Sequence, residues 1–494
     1  RVSLFKLDAG LWHLNNDANS YTGVTNVFGG MLSASSGTTL PSASPLNIMG
    51  GQFYSTGAFT RNATAVLTPG NLNEVQVGTG NRGFAAGASK LVVALGGVGT
   101  EQLLTWGNPE FNPTQFTLNS TVSFSDVEFR NPIDLNGATR TVSVLDNTLI
   151  GADFATMSGA LSGGAGSNLV KTGAGILYLT GNSTYTGTTQ ISQGTLVVKS
   201  LGLSTTPGAS SVGDSTLGAS DSGAILIGNG TTGGAILEYV GAGETSDRKI
   251  RLNTTTANNQ IHADGVGPLI LTNLVNDLGL GNKRLDLRGV SPSVNRIESM
   301  LTDNGGTLSI TVDGGTAWVL TNPGNSYTGT TTASAGALGI GSDTALGTGG
   351  LTNSNGNIFA YGGDRSPANV LTISNNATNG WFGEYSLTFT NVINTVGANN
   401  ITTNNSIVQG KMLTFNGVTA NSINSNRVWT FDGPGETQIT GDFTTTNVTY
   451  GIPIVNTGDG TLTLGTNGAT SNWNRNSQNI DLDRGTLRLT ARAA

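Results

Sequence analysis

The amino-acid sequence predicts an all-β protein whose many short strands stack as a parallel β-helix (β-solenoid). Three observations support this fold class: a motif recurs along the chain, strand-length apolar runs alternate with turns, and the composition is unusual. The 494 residues include 73 glycines, whereas only 11% are charged and 6% aromatic. A compact globular protein of this length normally has more charge and more large side chains, while a solenoid needs many turn glycines.

The recurring motif is clearest as Leu-Thr-Gly-Asn-Ser-Thr-Tyr-Thr-Gly at 179–187, and related copies lie at 14–23 and 320–329. In each copy a second glycine follows the tyrosine by nine residues, as in Tyr185 and Gly194 (194 − 185 = 9). A degenerate fourth copy at 456–464, followed by Gly485, lacks the Tyr-Thr-Gly core. Fixed spacing that recurs in this way is typical of a stacked structural module rather than of an active site.

The intervals between the motif copies, about 160 and about 140 residues, are too long for a single repeat, so each must contain several divergent coils. We therefore predict one continuous solenoid over 1–494. It is built from super-repeats at approximately 1–160, 161–305 and 306–450, with a partial one at 451–494.

Short apolar or alternating runs predict the strands, because a half-buried strand has a period of two residues. In chain order they include Leu11–Leu14, Ile176–Leu179, Leu196–Val198, Ala224–Ile227, Ala235–Val240, Leu269–Leu271, Leu285–Leu287, Leu308–Val312, Ala317–Leu320 and Leu462–Leu464. Helical periodicity is nearly absent. Asparagine and glycine tolerate positive φ, so the Asn-Gly steps predict tight turns; they begin at Asn136, Asn229, Asn304, Asn355, Asn379, Asn416 and Asn467.

Aligned apolar positions in the four copies predict an inward-facing row of the solenoid. Residues two apart on a strand share a face. The row comprises Leu14, Leu179, Leu320 and Leu464, together with Trp12, Leu177, Trp318 and Leu462 two residues earlier.

Bulk composition excludes several classes of protein. The chain has no cysteine, which argues against disulfides, thiolate metal sites and a cysteine nucleophile. A net charge of −7 and a pI near 4.9 give no basic surface for nucleic acid. No apolar run is long enough to span a membrane. Because the chain begins inside a motif copy, with Leu4 aligned to Leu169, we expect it to be part of a longer precursor.

The segment Asn168–Val198 closely resembles the autotransporter-associated β-strand repeat, also called the passenger-associated transport repeat, of very large bacterial surface proteins. The segments around Lys6 and Trp318 resemble it more loosely, and the segment around Gly458 weakly. Val127–Val142 also resembles a spacer of that family. The resemblance implies a secreted, right-handed parallel β-helix displayed outside the cell, and it brings no catalytic residues with it.

Residues capable of chemistry are few and scattered. His13 and His262 share no motif, and we interpret them as ordinary strand residues. Asp126 and Glu128, with Asp134 nearby, could serve acid/base chemistry or hold calcium, but a solvent-facing pair is the simpler interpretation. The motif tyrosines Tyr21, Tyr185 and Tyr327 could stack on glycans, although a structural role in the turn is favoured. We therefore assign no catalytic, cofactor-binding or metal-binding residue and predict no enzyme.

The leading hypothesis is a secreted bacterial structural protein, a segment of an extracellular fibre, sheath or surface stalk. Copies of the chain would associate head to tail, so that the strand at Leu487 of one copy docks against the strand at Leu4 of the next copy. The alternative is an adhesin-like passenger that binds glycans or host surfaces. An exposed aromatic patch at Trp381-Phe382, Trp429 and Trp473 would favour adhesion, whereas burial would favour a scaffold. A β-helix polysaccharide lyase or glycosidase is a third possibility, on fold analogy alone.

Overall fold

A computed structural model shows a protein built almost entirely from short β-strands. It describes residues 1–490 except 207, 218, 231–233, 255–257, 375–376, 397–398, 421–427, 442, 446–451 and 466–479. The chain forms two compact units. The first comprises Arg1–Gly241 and Ser246–Thr254, and the second comprises Ala242–Thr245 and Thr255–Ala494.

The strands up to the boundary between the units are β1 (Leu4–Lys6), β2 (Leu11–His13), β3 (Thr25–Val27), β4 (Met31–Ser33), β5 (Leu46–Ile48), β6 (Gln52–Phe59), β7 (Asn62–Ala63), β8 (Glu74–Val77), β9 (Asn81–Val93), β10 (Leu104–Thr105), β11 (Gln115–Leu118), β12 (Val127–Phe129), β13 (Ile133–Asp134), β14 (Arg140–Val144), β15 (Ala155–Met157), β16 (Leu161–Ser162), β17 (Leu169–Thr172), β18 (Ile176–Leu179), β19 (Thr189–Ile191), β20 (Gly194–Val198), β21 (Ala209–Ser210), β22 (Gly213–Asp214), β23 (Ile225–Ile227), β24 (Ala235–Tyr239), β25 (Glu244–Ser246) and β26 (Ile250–Leu252). A 3-10 helix covers Ser215–Leu217.

The strands of the second unit are β27 (Asn258–Ala263), β28 (Leu269–Leu271), β29 (Leu274–Val275), β30 (Lys283–Gly289), β31 (Val294–Ile297), β32 (Leu308–Val312), β33 (Ala317–Leu320), β34 (Thr331–Ala333), β35 (Ala337–Ile340), β36 (Leu351–Asn353), β37 (Asn357–Ala360), β38 (Leu371–Ser374), β39 (Ala377–Gly383), β40 (Leu387–Phe389), β41 (Ile393–Val396), β42 (Ile401–Ile407), β43 (Met412–Phe415), β44 (Val418–Ala420), β45 (Trp429–Asp432), β46 (Glu436–Ile439), β47 (Phe443–Thr445), β48 (Ile454–Asn456), β49 (Thr461–Gly465), β50 (Ile480–Leu482) and β51 (Thr486–Thr490).

In the first unit the strands form long parallel ladders, and successive coils of the chain add one strand to each ladder. One ladder is β1-β3-β5-β8. A second is β2-β4-β6-β9-β12-β15-β18-β20-β24. A third, which begins where β11 also pairs with the long strand β9, is β11-β14-β17-β19-β23-β26. Such repeated return of the chain to neighbouring parallel strands defines a β-solenoid.

The second unit repeats this plan. Its ladders are β27-β30-β32-β34-β36-β38-β41-β44-β47, β28-β31-β33-β35-β37-β39-β42-β45-β48-β50, and β40-β43-β46-β49-β51. Thr331 pairs with Leu351 and Leu351 with Leu371, so a coil here takes 20 residues (351 − 331 = 371 − 351 = 20). The predicted all-β solenoid is confirmed. Within the described residues no helix is long and apolar enough to cross a membrane.

Alternating burial along the strands places the core inside the coils. Strands such as β17, β19 and β32 alternate strictly between buried and half-buried residues. Of the predicted inward row, all of the later members are buried: Leu177, Leu179, Trp318, Leu320, Leu462 and Leu464.

The first copy is an exception, and there the prediction was wrong. Trp12 is 49% exposed and Leu14 is half-buried. Both lie on the first described coil, which packs on one side only, against β4. The indole ring of Trp12 instead lies 5.3 Å from the ammonium nitrogen of Lys6, a cation–π contact.

The outward face of the second unit carries a ladder of threonines. Thr311, Thr332, Thr352 and Thr372 pair in register, and the row continues through Asn394, Thr419 and Thr444. Threonine is β-branched and polar, so it suits a pleated, half-solvated surface. The outer face is therefore as regular as the core.

Candidate functional site

The lysine that precedes each of the first two motif copies is fully buried. Lys171 Nζ donates to the carbonyls of Gly173 at 2.7 Å, Gly175 at 2.6 Å and Gln193 at 2.9 Å. A buried ammonium without partners would be strongly destabilising, but three carbonyl acceptors satisfy all of its protons. The lysine thus ties its own turn to the neighbouring coil.

Lys6 is held in the same way in the first copy. Its Nζ donates to the carbonyls of Leu7 and Asp8 at 2.7 Å each and of Gly29 at 3.1 Å. Gly29 aligns with Gln193, since each precedes the second motif glycine. We call this arrangement the lysine clamp: Lys6 or Lys171 with its three carbonyl acceptors.

The second motif glycine is required by the lysine clamp. Gly30 and Gly194 have φ of +58° and +69°, a region that favours glycine. A Cβ on Gly194 would lie 2.5 Å from the carbonyl oxygen of Gly173 and 2.6 Å from Nζ of Lys171. The glycine therefore leaves the space in which the ammonium meets its acceptors.

The third and fourth copies replace the lysine. Val312 aligns with Lys171 and cannot donate, and Gly336 of the same copy does not adopt a positive φ. Asn456 takes the position in the fourth copy, where Nδ2 donates to the carbonyl of Arg484 at 2.9 Å. Arg484 precedes Gly485, so one contact of the clamp survives with an amide donor.

The motif tyrosine closes the turn that follows. Its hydroxyl bonds to the threonine four residues later, from Tyr185 to Thr189 at 2.5 Å and from Tyr327 to Thr331 at 2.7 Å. Tyr185 is almost completely buried, which raises its pKa to about 12. The motif tyrosines therefore have the structural role that their spacing predicts.

The first motif glycine permits close stacking of coils. A Cβ on Gly23, Gly187 or Gly329 would lie 2.2 Å from a backbone carbonyl oxygen of the preceding coil. Any side chain here would separate coils that the ladders hold about 4.8 Å apart. The first motif glycine thus serves the stack.

Burial shifts the pKa of Lys171 far from its ordinary value. Desolvation lowers it from 10.5 to about 7, because removing the ammonium from water disfavours the charged form. Arg61, which is 1% exposed, makes similar contacts and donates to the carbonyls of Ser44 at 2.6 Å and Pro41 at 3.0 Å. Its pKa is lowered to about 10 by burial.

The carboxylates considered as an acid/base or calcium pair form ion pairs. Lys90 Nζ lies 3.2 Å from Asp126 and 2.9 Å from Glu128, whose side chains are only 16% and 19% exposed. Lys90 holds the pKa of Glu128 below its ordinary value against the opposing effect of burial. Asp134 accepts from the backbone N–H of Asn136 at 2.8 Å. All three carboxylates thus have structural partners.

Each histidine lies in a strand of a different unit. His13 is exposed on β2, and His262 is half-buried on β27 with its Nε2 3.2 Å from Oε1 of Gln260. Burial lowers the pKa of His262. Both histidines therefore lie in strands, as the sequence predicts.

The aromatic residues proposed to discriminate scaffold from adhesin are mostly internal. Trp381 and Trp429 are buried, and Phe382 is half-buried. The indole N–H of Trp429 donates to Thr403 Oγ1 at 2.9 Å. Trp473 lies outside the described residues. The burial of Trp381 and Trp429 favours the scaffold interpretation at these two positions.

A groove on the side of the first unit, the side groove, has a volume of about 470 Å³. Its floor is the outward face of β2, β4, β6 and β9, where His13, Ser33 and Tyr54 pair in register. Phe124, on the loop 119–126 between β11 and β12, forms one wall and is 57% exposed. Sequence analysis missed the side groove, because its residues come from coils of unequal length and share no motif.

The fold and motif define a repeat-built β-solenoid, and the resemblance seen in the sequence is confirmed over three segments. Residues 4–34, 169–198 and 310–340 match the passenger-associated-transport-repeat family, so these three segments are such repeats.

A curated relative is the adhesin BmaC autotransporter of Brucella suis biovar 1 (strain 1330), 30% identical over 308 residues. The match covers 60% of this chain but only 8% of that much longer protein. No solved structure matches the chain.

Proposed function

We propose that this chain is a structural segment of the secreted passenger of a bacterial surface protein, in which stacked coils form an extracellular scaffold. The observation that carries the proposal is the internal use of the clamp lysine, the motif tyrosine and both motif glycines. The lysine clamp, the tyrosine hydroxyl and both glycines bind or approach the protein's own backbone and side chains. A motif used in this way maintains a stack and needs no ligand.

The comparisons support the extracellular location. The three matched repeats belong to a passenger family, and the relative named above is an autotransporter. A chain without cysteine also suits passage through an oxidising compartment. We infer a non-enzymatic role, since the carboxylates considered for catalysis are tied to Lys90 or to a turn.

The location is tested by mild protease treatment of intact cells that express the full-length protein. We expect fragments from this region to be released without lysis, while a periplasmic marker remains intact. Release of the region only after the outer membrane has been permeabilised would contradict the proposal.

A fibre or sheath formed by head-to-tail association is a finer form of this proposal. Parallel pairing of the kind that joins β49 and β51 would continue between copies, with the strand at Leu487 of one copy paired to the strand at Leu4 of the next copy. Electron microscopy of secreted material should then show filaments with a layer spacing of about 4.8 Å along their axis. Material that stays monomeric at high concentration in sedimentation would contradict association.

An adhesive role is the second candidate. It is favoured by the name of the relative and by the side groove, which leaves Phe124 exposed on an ordered loop. Beads coated with the chain should bind to host cells more strongly than beads coated with albumin. Equal binding of the two would contradict adhesion by this segment.

A further inference from the structure

The side groove has the dimensions of a small-molecule site. Its volume of about 470 Å³ falls within the usual range of about 300–1,000 Å³. The groove crosses the coils that carry Ser33, Tyr54 and Gly87, so it runs along the stack rather than along a strand. An occupant that contacts all of these coils must be elongated.

The loop 119–126 that forms its wall is fixed by buried polar contacts. Asn119 is fully buried, and its Nδ2 donates to the carbonyls of Ser125 at 3.1 Å and Phe154 at 2.9 Å. Asn147 Nδ2 donates to the carbonyl of Ser123 at 2.8 Å, which joins this loop to the next one. Phe124 is therefore presented to solvent from a preorganised backbone, which lowers the entropy lost on binding.

The lining offers neutral hydrogen-bonding groups. In the described part of the chain, the side chains of Asn15, Ser33, Ser35 and Thr56 have no hydrogen-bonding partner within the protein. Among the described residues, no lysine, arginine, aspartate or glutamate lines the groove. Recognition of a phosphate, sulfate or carboxylate normally uses cationic side chains, so this lining favours an uncharged ligand.

An extended peptide fits the groove less well. Peptides that bind along strands usually pair with a free sheet edge. Here β4 pairs with both β2 and β6, and β6 also pairs with β9, so the central strands of the floor, β4 and β6, have no free edge. Hydroxyl and amide groups beside the exposed ring of Phe124 instead suit a ligand that has many hydroxyls and apolar ring faces.

We propose that the side groove binds a neutral oligosaccharide, with a sugar ring stacked on Phe124 and sugar hydroxyls bonded to Asn15, Ser33 and Thr56. This inference rests on the adhesive candidate of the proposed function. It assigns binding to the outward face of the first unit and leaves the motif to maintain the stack.

Isothermal titration calorimetry of the purified chain with cellohexaose, maltohexaose and chitohexaose tests the proposal, with a heparin hexasaccharide as the anionic comparison. We expect at least one neutral hexasaccharide to bind. Phe124→Ala should weaken that binding about tenfold or more, as truncation of an aromatic anchor does. Ser33→Tyr should abolish binding by filling the floor. Both sites are at the surface, and each variant tests the groove independently of the other.

Leu149→Ala is the matched control, because Leu149 is 91% exposed on the neighbouring loop but does not line the groove. The affinity of this variant for the neutral hexasaccharide should stay within about twofold of the affinity of the unmodified chain. The proposal would be overturned if none of the neutral hexasaccharides bound or if only the heparin hexasaccharide bound. Unchanged affinity in both groove variants would also overturn it.

Bead adhesion separates this proposal from the adhesive function. If the chain binds no hexasaccharide and bead adhesion persists after periodate oxidation of the cell-surface glycans, the sugar site is overturned. Adhesion by this segment would then stand, and its ligand would be a protein. Hexasaccharide binding without bead adhesion would support the site and contradict adhesion by this segment.

Discussion

Replacing Gly194 with alanine tests whether the second motif glycine is required by the lysine clamp. At its φ of +69°, a residue with a Cβ costs about 1–2 kcal/mol. The new Cβ would also lie 2.6 Å from Nζ of Lys171 and so displace the ammonium. Weakening one hydrogen bond of a charged group costs about 1.5–3 kcal/mol. We expect a local loss of roughly 2.5–5 kcal/mol in all, at the upper end for point mutations.

Gly336→Ala is the control that the chain itself offers. Gly336 occupies the same motif position, but it has no positive φ, and Val312 stands where the lysine would be. Its Cβ would lie 3.0 Å from Cγ1 of Val312. We expect a loss of about 1 kcal/mol or less, because a contact at this distance is relieved by a shift of a few tenths of an ångström.

Amide hydrogen exchange, read by mass spectrometry, reports local opening in a repeat protein that need not unfold in one step. Peptides from 168–198 should exchange much faster in Gly194→Ala, whereas those from 309–340 should change little in Gly336→Ala. Equal acceleration in the two variants would refute the link between the glycine and the clamp.

Three further predictions concern the same turns and the ion pairs. The pKa of Lys171 is about 7 in the folded chain and 10.5 ordinarily. Below pH 7 the folded chain bears the full free-energy cost of burying the ammonium, and this cost falls as Lys171 loses its proton above pH 7. Protection of 168–198 should therefore increase between pH 7 and 10.5 after correction for intrinsic exchange, and Lys171→Met should remove that increase. Tyr185→Phe should lower the free energy of unfolding by about 1 kcal/mol or more, because Thr189 Oγ1 loses its partner. Thermal unfolding would measure this loss. Tyr21→Phe should cause a smaller loss, because Tyr21 is only half-buried. Glu128→Gln should cost less than about 1 kcal/mol in urea unfolding, because its partner Lys90 is 46% exposed, and a larger loss would contradict a surface role.

Much of the fold could be predicted from the sequence because the inward positions repeat locally. Leu177 and Leu179 are two residues apart on one strand, so burial follows from a period of two. The error at Trp12 has a different cause. The burial of an inward residue depends on the coils at both sides, which the motif does not report.

The contacts of the candidate sites could not be predicted, because they depend on register between distant coils. Tyr54 approaches the carbonyl of Val122 although 68 residues separate them. Lys171 reaches the carbonyl of Gln193, a backbone group that any residue type supplies. Neither contact leaves a pattern of residue types in a single sequence.

The 20-residue register between β34, β36 and β38 also determines which changes in length the chain can accept. Inserting one residue into a strand would turn its inward side chains outward. Duplicating a whole coil would add one strand to each ladder and preserve every contact above and below it. Such a protein can lengthen in steps of a coil by duplication within its gene, with no new core to evolve at each step.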